Sequence, residues 1–212
     1  LYITGPTVWD DYVYVTSGST YYQINNSNLS QTIATFSPGS SSWNSPIVYD
    51  GNIFFATTGS DVLYKNNASN ISQVIESVAK TNCAGDFAID GDNLYISCSA
   101  TFLQLNASNI SQTINQYTTS GSVNQRGGIT IGGGYAYLTT SSELVYQLNA
   151  TNISQLIATY SGIGNRLEAA VAYGNKGYVY TGGWDGFLYQ LNSSNVSQLI
   201  NKVNVGAVYY TP

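Results

Sequence analysis

The stretch Val145-Tyr-Gln-Leu-Asn149-Ala-Thr-Asn152-Ile-Ser-Gln155 decides how this chain reads, because it occurs in variant form four more times. Its counterparts are Tyr21-Tyr-Gln-Ile-Asn25-Asn-Ser-Asn28-Leu-Ser-Gln31, Leu63-Tyr-Lys-Asn-Asn67-Ala-Ser-Asn70-Ile-Ser-Gln73, Phe102-Leu-Gln-Leu-Asn106-Ala-Ser-Asn109-Ile-Ser-Gln112 and Leu188-Tyr-Gln-Leu-Asn192-Ser-Ser-Asn195-Val-Ser-Gln198. The second Asn of each pair falls at 28, 70, 109, 152 and 195, at intervals of 42, 39, 43 and 43 residues. A period of about forty residues is that of a propeller blade of four short strands.

The residues around the repeat favour strands over helices. Tyr12-Val-Tyr-Val-Thr16, Asn52-Ile-Phe-Phe-Ala-Thr57, Asn93-Leu-Tyr-Ile-Ser97, Tyr135-Ala-Tyr-Leu-Thr139 and Tyr178-Val-Tyr-Thr181 are aromatic and β-branched runs bounded by turn residues. They form the second strand of each copy. A first strand precedes them and ends in Asp10-Asp11, Asp50-Gly51, Asp90-Gly91, Gly132-Gly133 or Gly174-Asn175, pairs that tolerate the positive φ of a tight hairpin. The third strand is the Tyr21-Tyr-Gln-Ile24 type of run, and the fourth opens at Gln31, Gln73, Gln112, Gln155 or Gln198. The doubled Asn therefore lies on the turn joining strands three and four.

Residues leading into the first strand are small or Pro: Gly5-Pro6, Ser45-Pro46, Gly85, Gly127-Gly128 and Ala169-Ala170. Inner strands crowding around an axis require small residues, which favours radial closure over a linear solenoid. The expected fold is an all-β, five-bladed β-propeller of ~42-residue repeats. Its single domain spans 1–212, with repeats at about 5–43, 44–83, 84–126, 127–167 and 168–205 and extra terminal strands at Leu1-Tyr-Ile-Thr4 and 206–212. The terminal strands either close the ring on each other or pair with a neighbouring subunit by strand addition.

Each copy holds two Asn-x-Ser/Thr acceptors for N-glycans, at Asn25, Asn28, Asn67, Asn70, Asn106, Asn109, Asn149, Asn152, Asn192 and Asn195. Such acceptors are glycosylated only on exposed loops of exported proteins, so one rim should bear sugar and the chain should work outside the cell. The bland reading is that Asn, Ser and Thr are simply turn residues. Against it, the inner residues have drifted while every triplet still ends in a hydroxyl. The start at Leu1 without Met points to a removed leader or to the way the segment was delimited.

Composition agrees. Only 8% of residues are charged, His is absent and Tyr numbers 19, so solubility rests on hydroxyls, amides and attached sugars. Few groups titrate between acid and neutral pH, which points to hot or acidic surroundings. The net charge of -5 with six scattered Lys and Arg gives no basic stripe for nucleic acid. No apolar run approaches the ~20 residues of a membrane helix. Cys83 and Cys98 should face each other across the hairpin of copy three, by extension of an Ile89–Asp92 pairing; in an exported protein a disulfide follows.

Without His, and with both Cys paired, neither a nucleophile–His constellation nor a zinc ligand set can be assembled. Asp86, Glu143, Glu168 and Asp185 are the carboxylates a glycosidase would need, but they occupy unrelated places in their copies. Asp50-Gly-Asn52 and Asp90-Gly-Asp-Asn93 resemble calcium loops, yet hairpin turns account for them without a metal. The expectation is no enzyme and no cofactor other than covalent N-glycans.

Copy five reads Gly182-Gly-Trp-Asp-Gly-Phe-Leu-Tyr-Gln-Leu-Asn192, echoed at Ser60-Asp-Val-Leu-Tyr64 and Ser142-Glu-Leu-Val-Tyr-Gln-Leu-Asn149. This run resembles the repeats of quinoprotein-like and archaeal surface-protein β-propellers. The resemblance implies an exported, surface-associated propeller. Quinoprotein repeats usually continue with Thr-Gly and a docking Trp; Asn-x-Ser and Phe36, Tyr117 or Tyr160 stand here instead, so no quinone site carries over. The expected function is a glycosylated structural or adhesive surface protein, such as a filament or surface-layer subunit assembling through terminal strands with itself or with other surface proteins. The alternative is a lectin built on repeated Tyr, although Trp9, Trp43 and Trp184 fall at unrelated positions and form no repeated platform.

Overall fold

The structure, a computed structural model, describes residues 4–40, 45–83, 86–123, 128–164 and 171–206. Its described residues form twenty strands in five antiparallel sheets, each a plain four-strand meander. Blade one holds β1 (Thr7–Trp9), β2 (Tyr12–Ser17), β3 (Thr20–Asn25) and β4 (Asn28–Phe36). Blade two holds β5 (Ile47–Tyr49), β6 (Asn52–Ala56), β7 (Val62–Asn67) and β8 (Asn70–Ala79). Blade three holds β9 (Phe87–Asp90), β10 (Asn93–Cys98), β11 (Thr101–Asn106) and β12 (Asn109–Thr118). Blade four holds β13 (Ile129–Gly132), β14 (Tyr135–Thr139), β15 (Val145–Asn149) and β16 (Asn152–Tyr160). Blade five holds β17 (Ala172–Gly174), β18 (Tyr178–Gly182), β19 (Phe187–Asn192) and β20 (Asn195–Asn204).

The first hairpin of each blade turns where Asp and Gly were expected, with shifts of one residue in three blades. Asp10 and the pair Asp50-Gly51 take positive φ as expected. In blade three the turn is Gly91-Asp92, because Asp90 pairs with Asn93. In blade four it is Gly133-Gly134, both at positive φ. Gly132 serves another purpose: a Cβ there would lie 2.2 Å from the Tyr173 ring of blade five, so only Gly permits that inter-blade approach. Blade five turns through Asn175-Lys176-Gly177, with Gly177 at positive φ.

Two further expectations need correction. The fourth strand starts at the second Asn rather than at the Gln three residues later. Leu29, Ser30 and Gln31, and their counterparts in the other blades, form an irregular step between the Asn25–Asn28 and Ile24–Thr32 pairs. The copy-three hairpin pairs Ile89 with Leu94, two residues away from the expected register. Cys83 and Cys98 are nevertheless joined by a disulfide. The strand ladder begins only at Phe87, so Cys83 is not bound to that register.

The core is divided among the spaces between blades. One apolar cluster lies between blades one and two, and others lie between two and three, three and four, and four and five. Among the described residues no cluster and no hydrogen bond joins blade five to blade one. The inner ends of the first four blades surround a cavity of about 330 Å³ lined by Thr7, Ser45, Pro46, Ile47, Asp86, Phe87, Gly128 and Ile129. Of the small residues expected at the axis, Ser45, Pro46 and Gly128 line it, whereas Gly5 and Pro6 are exposed and do not. Gly85, Gly127 and Ala169-Ala170 lie outside the described residues. So do residues 1–3 and 207–212 of the terminal strands expected at 1–4 and 206–212; Thr4 N–H donates to Thr16 O (3.1 Å) and extends the inner edge of blade one.

The disulfide spans 15 residues of sequence. In the chain-entropy account a loop of that size stabilises by about 3 kcal/mol. Replacing both Cys83 and Cys98 by Ser should lower the unfolding free energy by about that amount, read from the urea midpoint under non-reducing conditions.

Candidate functional site

The doubled Asn sits at a two-residue hairpin in every blade, with the first Asn ending strand three and the second opening strand four. The first Asn makes a complete local ring. Its Oδ1 accepts from the backbone N–H (2.8–2.9 Å) and the hydroxyl (2.7–2.8 Å) of the residue two further on. Its Nδ2 donates across the irregular step to the repeated Gln: Asn25 to Gln31, Asn67 to Gln73, Asn106 to Gln112, Asn149 to Gln155 and Asn192 to Gln198, at 2.8–3.2 Å. This is an Asx-turn closed by a hydroxyl, which spares backbone groups that the interrupted ladder leaves unpaired.

The second Asn repeats half of that arrangement. Its Oδ1 accepts from the hydroxyl two residues on, at 2.5–2.7 Å. Its Nδ2 has no hydrogen-bond partner among the described residues. Asn28, Asn70 and Asn109 are exposed and Asn152 and Asn195 half-buried, whereas the first Asn is half-buried in all five blades. The hydroxyl kept in each triplet therefore has a folding role, and its persistence through drift is not by itself a sign of sugar.

The residue after the first Asn has a role that the sequence reading missed. Its carbonyl is held by the preceding blade. Gln23 Nε2 donates to Ala68 O (3.1 Å) and Ser69 O (3.1 Å), and the Tyr14 hydroxyl also donates to Ala68 O. Tyr95 (2.7 Å) and Gln104 (3.3 Å) hold Ala150 O, and Tyr137 (2.6 Å) and Gln147 (2.8 Å) hold Ser193 O. The Gln Oε1 in turn accepts the N–H of the aliphatic residue just past the second Asn: Ile71 (3.1 Å), Ile153 (3.5 Å) and Val196 (3.0 Å).

The interface between blades two and three solves the same problem with charges. Lys65 stands in place of Gln and donates to Ser108 O at 2.8 Å. Having no acceptor, it leaves the N–H of Ile110 to its cross-strand partner Glu76 (3.0 Å), which also takes the Ser111 N–H (2.9 Å), a group that the second Asn Oδ1 accepts in the other four blades.

Burial of these tyrosines disfavours their phenolates. Tyr95 is pushed up to about 12, by burial first and the nearby Asp90 charge second. Tyr14 and Tyr137 are raised further, again mainly by burial. The repeated tyrosines of strand two are thus packing and clamp residues in blades one, three and four.

The carboxylates do not form a constellation. Asp86 lines the axial cavity and is raised by burial, an effect opposed by a backbone hydrogen bond from Gly128. Glu143 lies in the turn between β14 and β15 at φ 63°. Asp185 lies in the turn before β19, where it accepts the Tyr189 hydroxyl and the Phe187 N–H (3.2 Å). Glu168 and Trp43 lie outside the described residues. Among the described residues no three His, Cys, Asp or Glu side chains are grouped as metal ligands. In the Asp50-Gly-Asn52 and Asp90-Gly-Asp-Asn93 turns, Asn52 (2.8 Å) and Asn93 (3.4 Å) donate to the Asp carbonyls, as hairpin closure requires.

Solved structures share this architecture. The chain is a β-propeller. The computationally designed Ika8 protein superposes with a TM-score of 0.80 at 12% identity, over 97% of this chain and 62% of that one. BamB from Moraxella catarrhalis gives 0.75 at 11% identity, over 94% and 63%. Hsv2 from Kluyveromyces lactis gives 0.64 at 13% identity, over 92% and 60%. The chain thus spans less than two thirds of each of these proteins, and at such identities the likeness is one of fold. No protein-family model and no curated protein matches the sequence.

Two measurements test the clamp. Gln147→Ala leaves the buried N–H of Val196 unpaired and should cost about 1–3 kcal/mol in a urea titration. Gln190→Ala, at the same place in blade five, should stay within about 0.5 kcal/mol of the parent, since Gln190 is half-exposed and its side chain hydrogen-bonds, among the described residues, to the Tyr180 hydroxyl of its own blade alone (3.4 Å). On the alkaline side, a folded pKa above the usual 10.0 stabilises the protonated folded state. Stability should therefore be fully present below about pH 10 and decline as pH rises towards about 12, the value for Tyr95, in thermal melts across that range.

Proposed function

We propose that this propeller is an extracellular, N-glycosylated structural or adhesive surface protein, with its sugars on the second Asn of each doubled acceptor. The supporting observation is chemical. Nδ2 is the atom that would carry the glycan, and Asn28, Asn70, Asn109, Asn152 and Asn195 keep it unengaged on one rim, while the Nδ2 of each first Asn is already donated to Gln. The first Asn is the folding residue of the pair and the second the acceptor. The Cys83–Cys98 disulfide fits an oxidising compartment. No helix among the described residues is long and apolar enough to cross a membrane, an observation that does not bear on membrane β-barrels.

The outer strands add a second surface property. Ile33, Ile75, Ile114, Ile157 and Ile200 stand exposed at one repeated position on β4, β8, β12, β16 and β20. A low-charge face with a regular aliphatic row suits attachment within a surface assembly better than it suits a dispersed catalyst. We assign no catalytic residue and no cofactor. The lectin alternative draws no support from the strand-two tyrosines Tyr14, Tyr95 and Tyr137, which are buried between blades.

Site-resolved glycopeptide mass spectrometry of the protein from its native surface tests the assignment. Sugar is expected at the five second-position Asn and not at the five first-position ones. Absence of sugar from all ten would overturn the reading.

A further inference from the structure

Each fourth strand carries a Gln three residues past its second Asn, at Gln31, Gln73, Gln112, Gln155 and Gln198, and all five are exposed. Each lies within the irregular step, where no ladder pair fixes it. Its Oε1 reaches back to accept from the Nδ2 of the first Asn, at 2.8–3.2 Å. An exposed bond between two side chains adds little to folding, because water competes for both partners. The Asx-turn is also closed without it, by the hydroxyl and the backbone N–H on Oδ1 of the first Asn. Yet the Gln stands in all five copies, while the next residue varies between Thr32, Val74, Thr113, Leu156 and Leu199. What the Gln adds to the hairpin is occupation of one atom, the amide nitrogen of the first acceptor.

The two acceptors of a pair also compete for space. Asn25 and Asn28, Asn67 and Asn70, and their counterparts stand directly opposite each other in the ladder. Opposed residues of an antiparallel pair have Cβ atoms about 4.5–5.5 Å apart. A sugar on one Asn therefore stands over the other.

We propose that the repeated Gln selects between the two acceptors, withholding the first Asn so that sugar is transferred to the second on the already folded blade. This deepens the glycoprotein reading above and rests on it. In the transfer, Nδ2 attacks the anomeric carbon of a glycosyl diphosphate donor. The N–C bond forms as the C–O bond to the diphosphate breaks, the diphosphate leaves with the electron pair, and one amide proton passes to a base of the transferase. The first Asn must give up its Gln before that step, and its Oδ1 is fixed by two further donors, so its amide is locked at both ends. The second Asn keeps its nitrogen undonated among the described residues, with its Oδ1 on the hydroxyl two residues on. The Gln touches neither the donor nor the anomeric carbon; it is a positioning residue that acts through the first Asn.

The test uses the full 212-residue chain, made without sugar, folded, and then incubated with a glycosyl diphosphate and a transferase that recognises Asn-x-Ser/Thr. Site-resolved glycopeptide mass spectrometry at low conversion compares Asn67 with Asn70. In the parent, sugar at Asn70 should exceed that at Asn67 by more than about tenfold. Gln73→Ala, at an exposed position, should keep the parent's thermal midpoint and bring Asn67 to within about threefold of Asn70, leaving the other four pairs as they were. Gln73→Glu keeps an oxygen acceptor and should restore the parent's ratio, which a general loosening of the hairpin would not do. Should Gln73→Ala lose its fold, Gln112→Ala makes the same comparison at Asn106 and Asn109. Equal occupancy of both Asn in the folded parent, an unchanged ratio in the folded Ala variant, or a Glu variant that behaves like the Ala one overturns the selection. So does a folded chain that takes sugar at none of its acceptors, whereas the glycoprotein reading falls only if the glycopeptides of the native protein lack sugar.

Discussion

The structure depends on one constraint: an irregular hairpin whose backbone groups cannot be satisfied within their own blade. The carbonyl of the turn residue after the first Asn, and an N–H where strand four steps out of register after the second Asn, have no ladder partners. Both become buried when the blades stack, and a buried backbone group left unpaired costs about 1–3 kcal/mol. The preceding blade answers with a Gln, which offers a donor and an acceptor on one planar group, and with a Tyr hydroxyl added to the same carbonyl. Gln is suited because the two backbone groups to be met have opposite hydrogen-bonding character.

The blade-two variation shows that the constraint is chemical rather than a matter of residue identity. Lys65 can donate but not accept, so the acceptor has moved to Glu76 on the adjoining strand. The two changes make sense only together, since Lys alone would leave the buried N–H of Ile110 unpaired. Phe54, which has no hydroxyl to donate, occupies the position of the clamping Tyr here, and Lys65 reaches the carbonyl one residue further along, that of Ser108.

Because one half of each blade interface is a hairpin and the other a clamping Gln or Lys, the stack has a direction. Among the described residues Leu29 of blade one and Leu188 of blade five are exposed, while their counterparts at the interfaces between blades are buried. The same turn that docks one blade on the next presents the second Asn outward. The two asparagines three positions apart are thus unlike: the first donates its Nδ2 to the repeated Gln, and the second leaves that nitrogen undonated among the described residues.

The period, the four strands of each copy, the hairpin chemistry and the position of the doubled Asn were legible in the sequence. They depend on local alternation and turn propensity, which neighbouring residues specify. Small slips at Gly91-Asp92 and Gly133-Gly134, and the two-residue register error near Cys83, came from reading Asp-Gly and Gly-Gly pairs without their partner strand. The inter-blade role of Gln23, Gln104 and Gln147 left no trace that spacing alone could interpret, because their partners lie more than forty residues away. So the sequence by itself determined a repeating all-β propeller with paired asparagines on one rim. Only the tertiary structure decided which asparagine of each pair donates its amide nitrogen to Gln and which side chains clamp one blade to the next, since the first depends on how the irregular hairpin closes and the second on groups brought together by stacking.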